Sequence, residues 1–309
     1  MKVTKQAILR KYGLSPDELL HQGMEAEVYA MGSENVLKLY IGTTDFEHLT
    51  TLQNFYASLS QSELSYSLPH IETVAREGDI CSTIERRLPG VPMSTILPKL
   101  TTEQMDTLMQ AYLTAALELT KVQIPFEFDR YKLFDPEDLS RTTRGDWHRF
   151  LSGYLDQKLG QLSVYLERDV TDFTEKVQQL QFILSKPYTG GYHLIHGDFF
   201  PGNILVDEGH RVTALLDFGL FTMYGDFLFD IATGWVFFDM YDELRANIRE
   251  RYLDITLDRL GERARGKLYR YVLLYSILSA DTYSPDCTDG HYRWCVANLN
   301  NQRYWNNIE

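Results

Sequence analysis

The 309-residue chain has few cysteines, a deficit of basic residues and no long apolar run. Its three cysteines, Cys81, Cys287 and Cys295, form no C-x-x-C pair. That spacing suggests neither a zinc site nor a disulfide framework and fits reduced thiols in a cytoplasmic protein. Lys and Arg number 30 against 43 Asp and Glu, a formal net charge of -13. A nucleic-acid partner is not expected, because phosphate contacts need clustered cations. No apolar stretch approaches the length of a bilayer span, so no membrane segment is expected. The start, Met1-Lys2-Val3-Thr4, leads into no apolar core, so no signal peptide is expected either. There is no G-x-x-x-x-G-K-[ST] phosphate loop, and the first hairpin carries one glycine, Gly23, where a G-x-G-x-x-G loop would carry three.

What is present is the composition of a soluble globular protein, 44% hydrophobic and 24% charged, and long enough for two lobes. Thr4 to Tyr12 reads as a short helix ended by Gly13 and Pro16. Leu19 to Met31 reads as a strand, a turn at Gly23 and a returning strand, and Val36 to Tyr40 as a third strand with Lys38 among apolar neighbours. Asp45 to Phe55 has helical spacing, with Leu49, Leu52, Phe55 and Tyr56 inward. Ile80 to Gly90 reads as a strand running into a turn, and the boundary between lobes is placed near Leu88 to Pro92. Beyond it the pattern is helical. One helix starts at Thr101-Thr102-Glu103-Gln104 and runs to about Val122, and two more span Trp147 to Gly160 and Thr171 to Leu184. Ile124 to Arg144 reads as a loop or insertion, and helical spacing resumes from Thr233.

The distinctive stretch is His193 to Asp207, followed by Val212 to Gly219. It sets Asp198 and Asn203 five positions apart on a turn and Asp217 at the end of a second strand. Phosphoryl transfer from a nucleoside triphosphate needs such a set. One carboxylate meets the attacking hydroxyl, while an amide and a second carboxylate hold magnesium on the phosphates.

His196-Gly197-Asp198-x-x-x-x-Asn203 followed by Asp217-Phe218-Gly219 resembles the aminoglycoside phosphotransferase family, relatives of the protein kinases. Gly197 stands where protein kinases have Arg, which points to the small-molecule branch. The resemblance implies an α+β, protein-kinase-like fold. Residues 1–90 would form a small antiparallel-sheet lobe that binds the nucleotide, and residues 91–309 a mostly helical catalytic and acceptor-binding lobe. It implies ATP or GTP as phosphate donor and Mg²⁺ as cofactor. Asp198 becomes the catalytic carboxylate, Asn203 and Asp217 the metal ligands, and Lys38 the phosphate-binding lysine, held by Glu47 or alternatively Glu63. Gly23 covers the phosphates, and the backbone of Glu85, Arg86 and Arg87 meets the nucleobase. His196 braces the loop, and Asp230, in Gly225-Asp226-x-x-x-Asp230-Ile231-Ala232, braces it from a helix.

Between Gly191 and Asp242 eight acids face Arg211 alone. That bias, with Asp281, Asp286 and Asp289 further on, suggests a cationic, hydroxylated small-molecule acceptor such as an aminoglycoside, met by Asp239, Asp242, Glu243, Asp281 or Asp286. A metabolic kinase for choline, homoserine or a sugar shares the same loop. A nucleotide-binding pseudokinase is disfavoured by the presence of all three of Asp198, Asn203 and Asp217.

Overall fold

The computed structural model describes residues 4–23, 26–40, 45–59, 63–123, 147–218, 221–240 and 248–308. The first unit is built on α1 (Lys5–Lys11), β1 (Leu19–Gln22), β2 (Ala26–Met31), β3 (Asn35–Tyr40), α2 (Phe46–Ser58), β4 (Ile71–Glu77) and β5 (Ile80–Arg86). The strands form one antiparallel sheet in the order β1-β2-β3-β5-β4.

Alternation along β3 decides what each sheet face receives. Leu37 and Leu39 pack with Tyr29 against Ile8 and Leu9 of α1. The other face carries Tyr40, which clusters with Cys81 and with Leu49 of α2, and on that face lies Lys38. The spacing of Leu49, Leu52, Phe55 and Tyr56 buries one stripe of α2, as its sequence predicts. Gln53 of α2 donates to the carbonyls of Ile71 and Glu72, which ties the helix to β4. At the first hairpin the Gly23 N–H bonds the Ala26 carbonyl at 2.9 Å; the two residues between lie outside the described segments.

The sheet strand β5 ends at Arg86, and β6 (Val91–Pro92) already pairs with a strand of the second unit. There follow α3 (Met93–Ile96), α4 (Thr102–Leu119), α5 (Trp147–Asp169), α6 (Phe173–Leu184), β7 (His193–Ile195), β8 (Ile204–Val206), β9 (Val212–Leu215), β10 (Met223–Gly225), α7 (Leu228–Val236), α8 (Ile248–Leu260), α9 (Ala264–Leu278), α10 (Gly290–Leu299) and α11 (Gln302–Trp305). The helix start read at Thr101 is a capping box: the Thr101 hydroxyl accepts from the Gln104 N–H, and the Gln104 side chain accepts from the Thr101 N–H.

Two boundaries differ from the sequence reading. α5 runs through Gly160 to Asp169, because Leu155, Leu162 and Leu166 keep one face buried on both sides of the glycine. That burial outweighs the roughly 1 kcal/mol an interior glycine costs. α7 begins at Leu228, ahead of Thr233, because the buried Asp226 accepts from the Leu228 N–H at 3.1 Å and starts the helix early. Asp226 also accepts from the Tyr271 hydroxyl at 2.9 Å and pairs with Lys267 at 3.2 Å. The preceding Gly225 is required by close approach, since a Cβ there would lie 2.5 Å from the Trp147 ring. The segment expected to be a loop at Ile124 to Arg144 lies outside the described residues.

The three cysteines are buried and free. Among the described residues no helix is long and apolar enough to cross a membrane.

Tyr112 of α4 stacks on Phe199 at 4.6 Å, and its buried hydroxyl donates to the Phe199 carbonyl at 2.5 Å. This contact seats the residue next to Asp198. Tyr112→Phe should lower unfolding stability by about 1–3 kcal/mol, the cost of an unsatisfied buried carbonyl, measured by urea denaturation. An unchanged midpoint would remove this bond from the supports of the loop.

Candidate active site

β7 leads into the turn at residues 196–203, and the β8–β9 hairpin returns the chain to Asp217. The register is what closes the site. Ile204 pairs with Leu215, and one step further the Leu216 N–H bonds the Asn203 carbonyl at 2.8 Å. Asn203 and Asp217 therefore end up adjacent although 14 positions separate them. The Asn203 amide nitrogen donates to the Asp198 carboxylate at 2.8 Å and to the Asp198 carbonyl at 3.1 Å. That use of its nitrogen leaves the amide oxygen as a possible cation ligand.

His196 is the internal brace. It is fully buried; its Nε2–H donates to the Leu216 carbonyl at 2.6 Å, and its Nδ1 accepts from the Asp198 N–H at 3.2 Å. One neutral ring thus ties the backbone beside Asp217 to the backbone of Asp198. Burial pushes its pKa down to about 4, against the hydrogen bond to Leu216.

Asp230 of α7 accepts the N–H groups of His196 at 2.6 Å and Gly197 at 2.9 Å, and Thr222 donates to the His196 carbonyl at 3.0 Å. Burial raises the Asp230 carboxyl to about 7, with the two backbone donors acting the other way. Gly197 has φ 82°, and a Cβ there would lie 1.8 Å from the Phe221 carbonyl oxygen, so an arginine cannot stand at this position.

Lys38 reaches the site from β3. Its Nζ lies 3.0 Å from Asp217 and 3.2 Å from Glu85. Burial alone would lower its pKa; the Asp217 and Glu85 carboxylates outweigh that and hold it well above the ordinary lysine value. Lys38 in turn holds the Asp217 carboxyl below the usual carboxylate range. Asp217 has φ 52°, a left-handed backbone that aims its exposed side chain out of the hairpin toward the sheet.

The expected Lys38–Glu47 pair is not formed. Glu47 sits exposed in the first turn of α2, and Glu63 is exposed as well. Glu85 was expected to serve through its backbone; its side chain instead points into the site. Thr83 and Glu85 alternate onto the Lys38 face of β5, and which strand lies beside β3 is not written in either segment. The N–H groups of Arg86 and Arg87 are given to the carbonyls of His70 and Glu34, so neither is left for a base. The side chains of Arg86 and Arg87 are exposed.

The acids expected to meet an acceptor have other partners. Asp239 pairs with Arg249, and Asp281 with Lys158 at 2.7 Å. Asp286 accepts from Ser284 and Thr288, and Asp289 caps α10 by accepting from the Tyr292 N–H. Asp281 and Asp289 are half-buried, where an unpaired carboxylate is costly, whereas Asp239 and Asp286 are exposed. Asp242 and Glu243 lie outside the described residues. Thr222 and Tyr112, which hold this segment in place, carry no sequence signal of their own, and Asp226 stood in the G-D-x-x-x-D-I-A run with no role assigned to it.

Among the described residues no group of three or more His, Cys, Asp and Glu converges as a metal cage. The Asp217 carboxylate and the Asn203 amide oxygen are hard donors, and such a pair fits a magnesium ion that takes its remaining ligands from phosphates and water.

A five-stranded antiparallel sheet joined to a helical unit, with Lys38, Asp198, Asn203 and Asp217 gathered between them, is the kinase-like phosphotransferase fold. The chain belongs to the phosphotransferase enzyme family, whose profile matches residues 18–269, and it is an enzyme of that class. A search of curated proteins gave no match. Solved structures agree on the fold. The ADP-bound aminoglycoside phosphotransferase APH(2'')-Ib superposes with TM-score 0.59 at 17% identity over 96% of this chain and 95% of that one. The gentamicin complex of APH(2'')-IIa gives 0.61 at 18% over 97% and 96%. APH(3'')-Id from Streptomyces rimosus ATCC10970, with ADP and streptomycin, gives 0.53 at 13% over 89% and 97%.

The His196 brace makes the fold acid-sensitive. Its folded pKa of about 4 lies below the ordinary 6.5, so the unfolded chain binds more protons between those values. The His196 contribution is complete above pH 6.5 and is lost as pH falls toward 4, up to about 3 kcal/mol, while Asp230, raised to about 7, contributes a slope of the opposite sign over the same range. His196→Gln should remove the rise in stability that His196 contributes between about pH 4 and 6.5 and leave the opposing Asp230 contribution, measured by urea unfolding at stepped pH.

Proposed function

We propose that this enzyme transfers the γ-phosphate of ATP or GTP to a hydroxyl of a small molecule, an aminoglycoside-type acceptor. The convergence of Lys38, Asp217, Asn203 and Asp198 carries the reading. Residues 1–90 would hold the nucleotide and residues 91–309 the acceptor. Asp198 accepts the hydrogen bond of the incoming hydroxyl, orients it and receives its proton late; Asn203 holds that carboxylate in aim. Lys38 meets the phosphate oxygens. Asp217 and the Asn203 oxygen would hold magnesium, which would supply neutralisation of charge on the phosphates. The aminoglycoside class is supported by similar structures described as complexes with gentamicin and streptomycin.

A less charged, metabolic acceptor is the second reading. The observation in its favour is that Asp239 and Asp281 are paired with Arg249 and Lys158, which weakens the case for an acidic acceptor wall.

Asp198→Asn should lower kcat about 10²–10⁴-fold while nucleotide binding stays nearly intact. Near-parental kcat would reject the assignment. Asp217→Ala should abolish magnesium-dependent nucleotide binding, read by calorimetry with and without the ion.

A coupled ADP-release assay over gentamicin, kanamycin, streptomycin, hygromycin B, choline and homoserine separates the two acceptor readings. A polycationic acceptor should show KM rising with salt, because a Debye length of about 8–10 Å screens its attraction. Turnover with choline or homoserine alone would select the second reading.

A further inference from the structure

We propose that Glu85 is the residue that holds Lys38 on the nucleotide phosphates, a task the sequence suggested for a carboxylate of α2. The proposal rests on the phosphotransferase reading and names a positioning residue within it. Glu85 is buried, 5% exposed, with one carboxylate oxygen 3.2 Å from the Lys38 Nζ. Its other oxygen accepts from the Thr83 hydroxyl at 2.7 Å, so both oxygens are fixed. The pair is internal to the sheet. β3 and β5 are hydrogen-bonded neighbours, with Val36 opposite Glu85 and Lys38 opposite Thr83. Lys38, Thr83 and Glu85 therefore project from one face, and the ammonium–carboxylate distance is set by strand register and not by the position of α2.

The buried stripe of α2 is Leu49, Leu52, Phe55 and Tyr56, and Glu47 is exposed at its first turn. Asp217 is the second acid on Lys38, but it is also the carboxylate of the metal position. When Asp217 turns to magnesium, Glu85 is the acid that remains on a largely buried lysine, and a buried ammonium left without an acid is costly. Glu85 also directly precedes Arg86 and Arg87, where β5 leaves the sheet.

The test is calorimetric titration of the full-length protein with Mg·ATP and, separately, with adenosine. Glu85→Gln should weaken Mg·ATP about tenfold or more, the effect of losing a hydrogen bond to a charged group, with adenosine affinity within about twofold. Glu85→Asp should fall between Glu85→Gln and the parent. Glu47→Gln should bind both ligands as the parent does.

A general loss of structure would weaken adenosine as much as Mg·ATP, so the split between the two ligands reads positioning of the phosphates. Parental Mg·ATP affinity in Glu85→Gln, an equal loss of adenosine, or an equal loss in Glu47→Gln would each overturn the proposal. Should Glu85→Gln fail to fold, Thr83→Val removes the bond that aims Glu85, together with the hydrogen bond between Thr83 and Tyr40. It should weaken Mg·ATP about threefold with adenosine unchanged, and parental Mg·ATP affinity there would overturn the proposal. Parent protein that binds neither Mg·ATP nor Mg·GTP would overturn the phosphotransferase reading itself; if it binds only Mg·GTP, the same titrations are made with Mg·GTP and guanosine.

Discussion

The Lys38 ammonium, set between Glu85 of the sheet and Asp217 of the catalytic hairpin, is the contact on which the site depends. It is the place where the sheet's chemistry meets that of the helical unit. A lysine this far from solvent stays charged only beside carboxylates, and a carboxylate at the hairpin end stays ionised beside a lysine. Each group therefore sustains the other's charge. The left-handed backbone at Asp217 is what turns its side chain toward the sheet.

The rest of the catalytic segment is held from below by backbone groups. His196 spans the carbonyl of Leu216 and the N–H of Asp198. Asp230 closes the N–H groups of His196 and Gly197 from α7, and α7 is itself started by Asp226. These bonds lie in the interior, where an unmade one costs more than at the surface. The loop is thereby fixed before any ligand arrives, as transition-state stabilisation by positioned groups requires.

On the acceptor side the picture moves away from a row of free acids. The excess of negative charge in the sequence is real, yet the helical unit uses much of it internally: Asp239 on Arg249, Asp281 on Lys158, Asp226 on Lys267 and Tyr271. Net charge is a property of the whole chain. It does not say which carboxylates a pocket presents.

The sequence by itself determined the local build of the stretch that carries the proposed catalytic set. Asp198, Asn203 and Asp217 lie in two short runs whose turn and hairpin are local events, governed by neighbours a few positions away. It also determined the strand–turn–strand start, the α2 stripe and the capped start of α4, because periodicity and caps are local too. Tertiary structure alone decided which acid serves Lys38, which acids stay free of internal partners, and how far α5 and α7 extend. Those outcomes depend on strand order, on register and on burial against distant side chains. A linear reading selects Glu47, with Glu63 as the alternative, and gives the Glu85 side chain no part in holding the lysine. Only the pairing of β3 with β5 brings Glu85 to 3.2 Å from the lysine and leaves Glu47 on the surface.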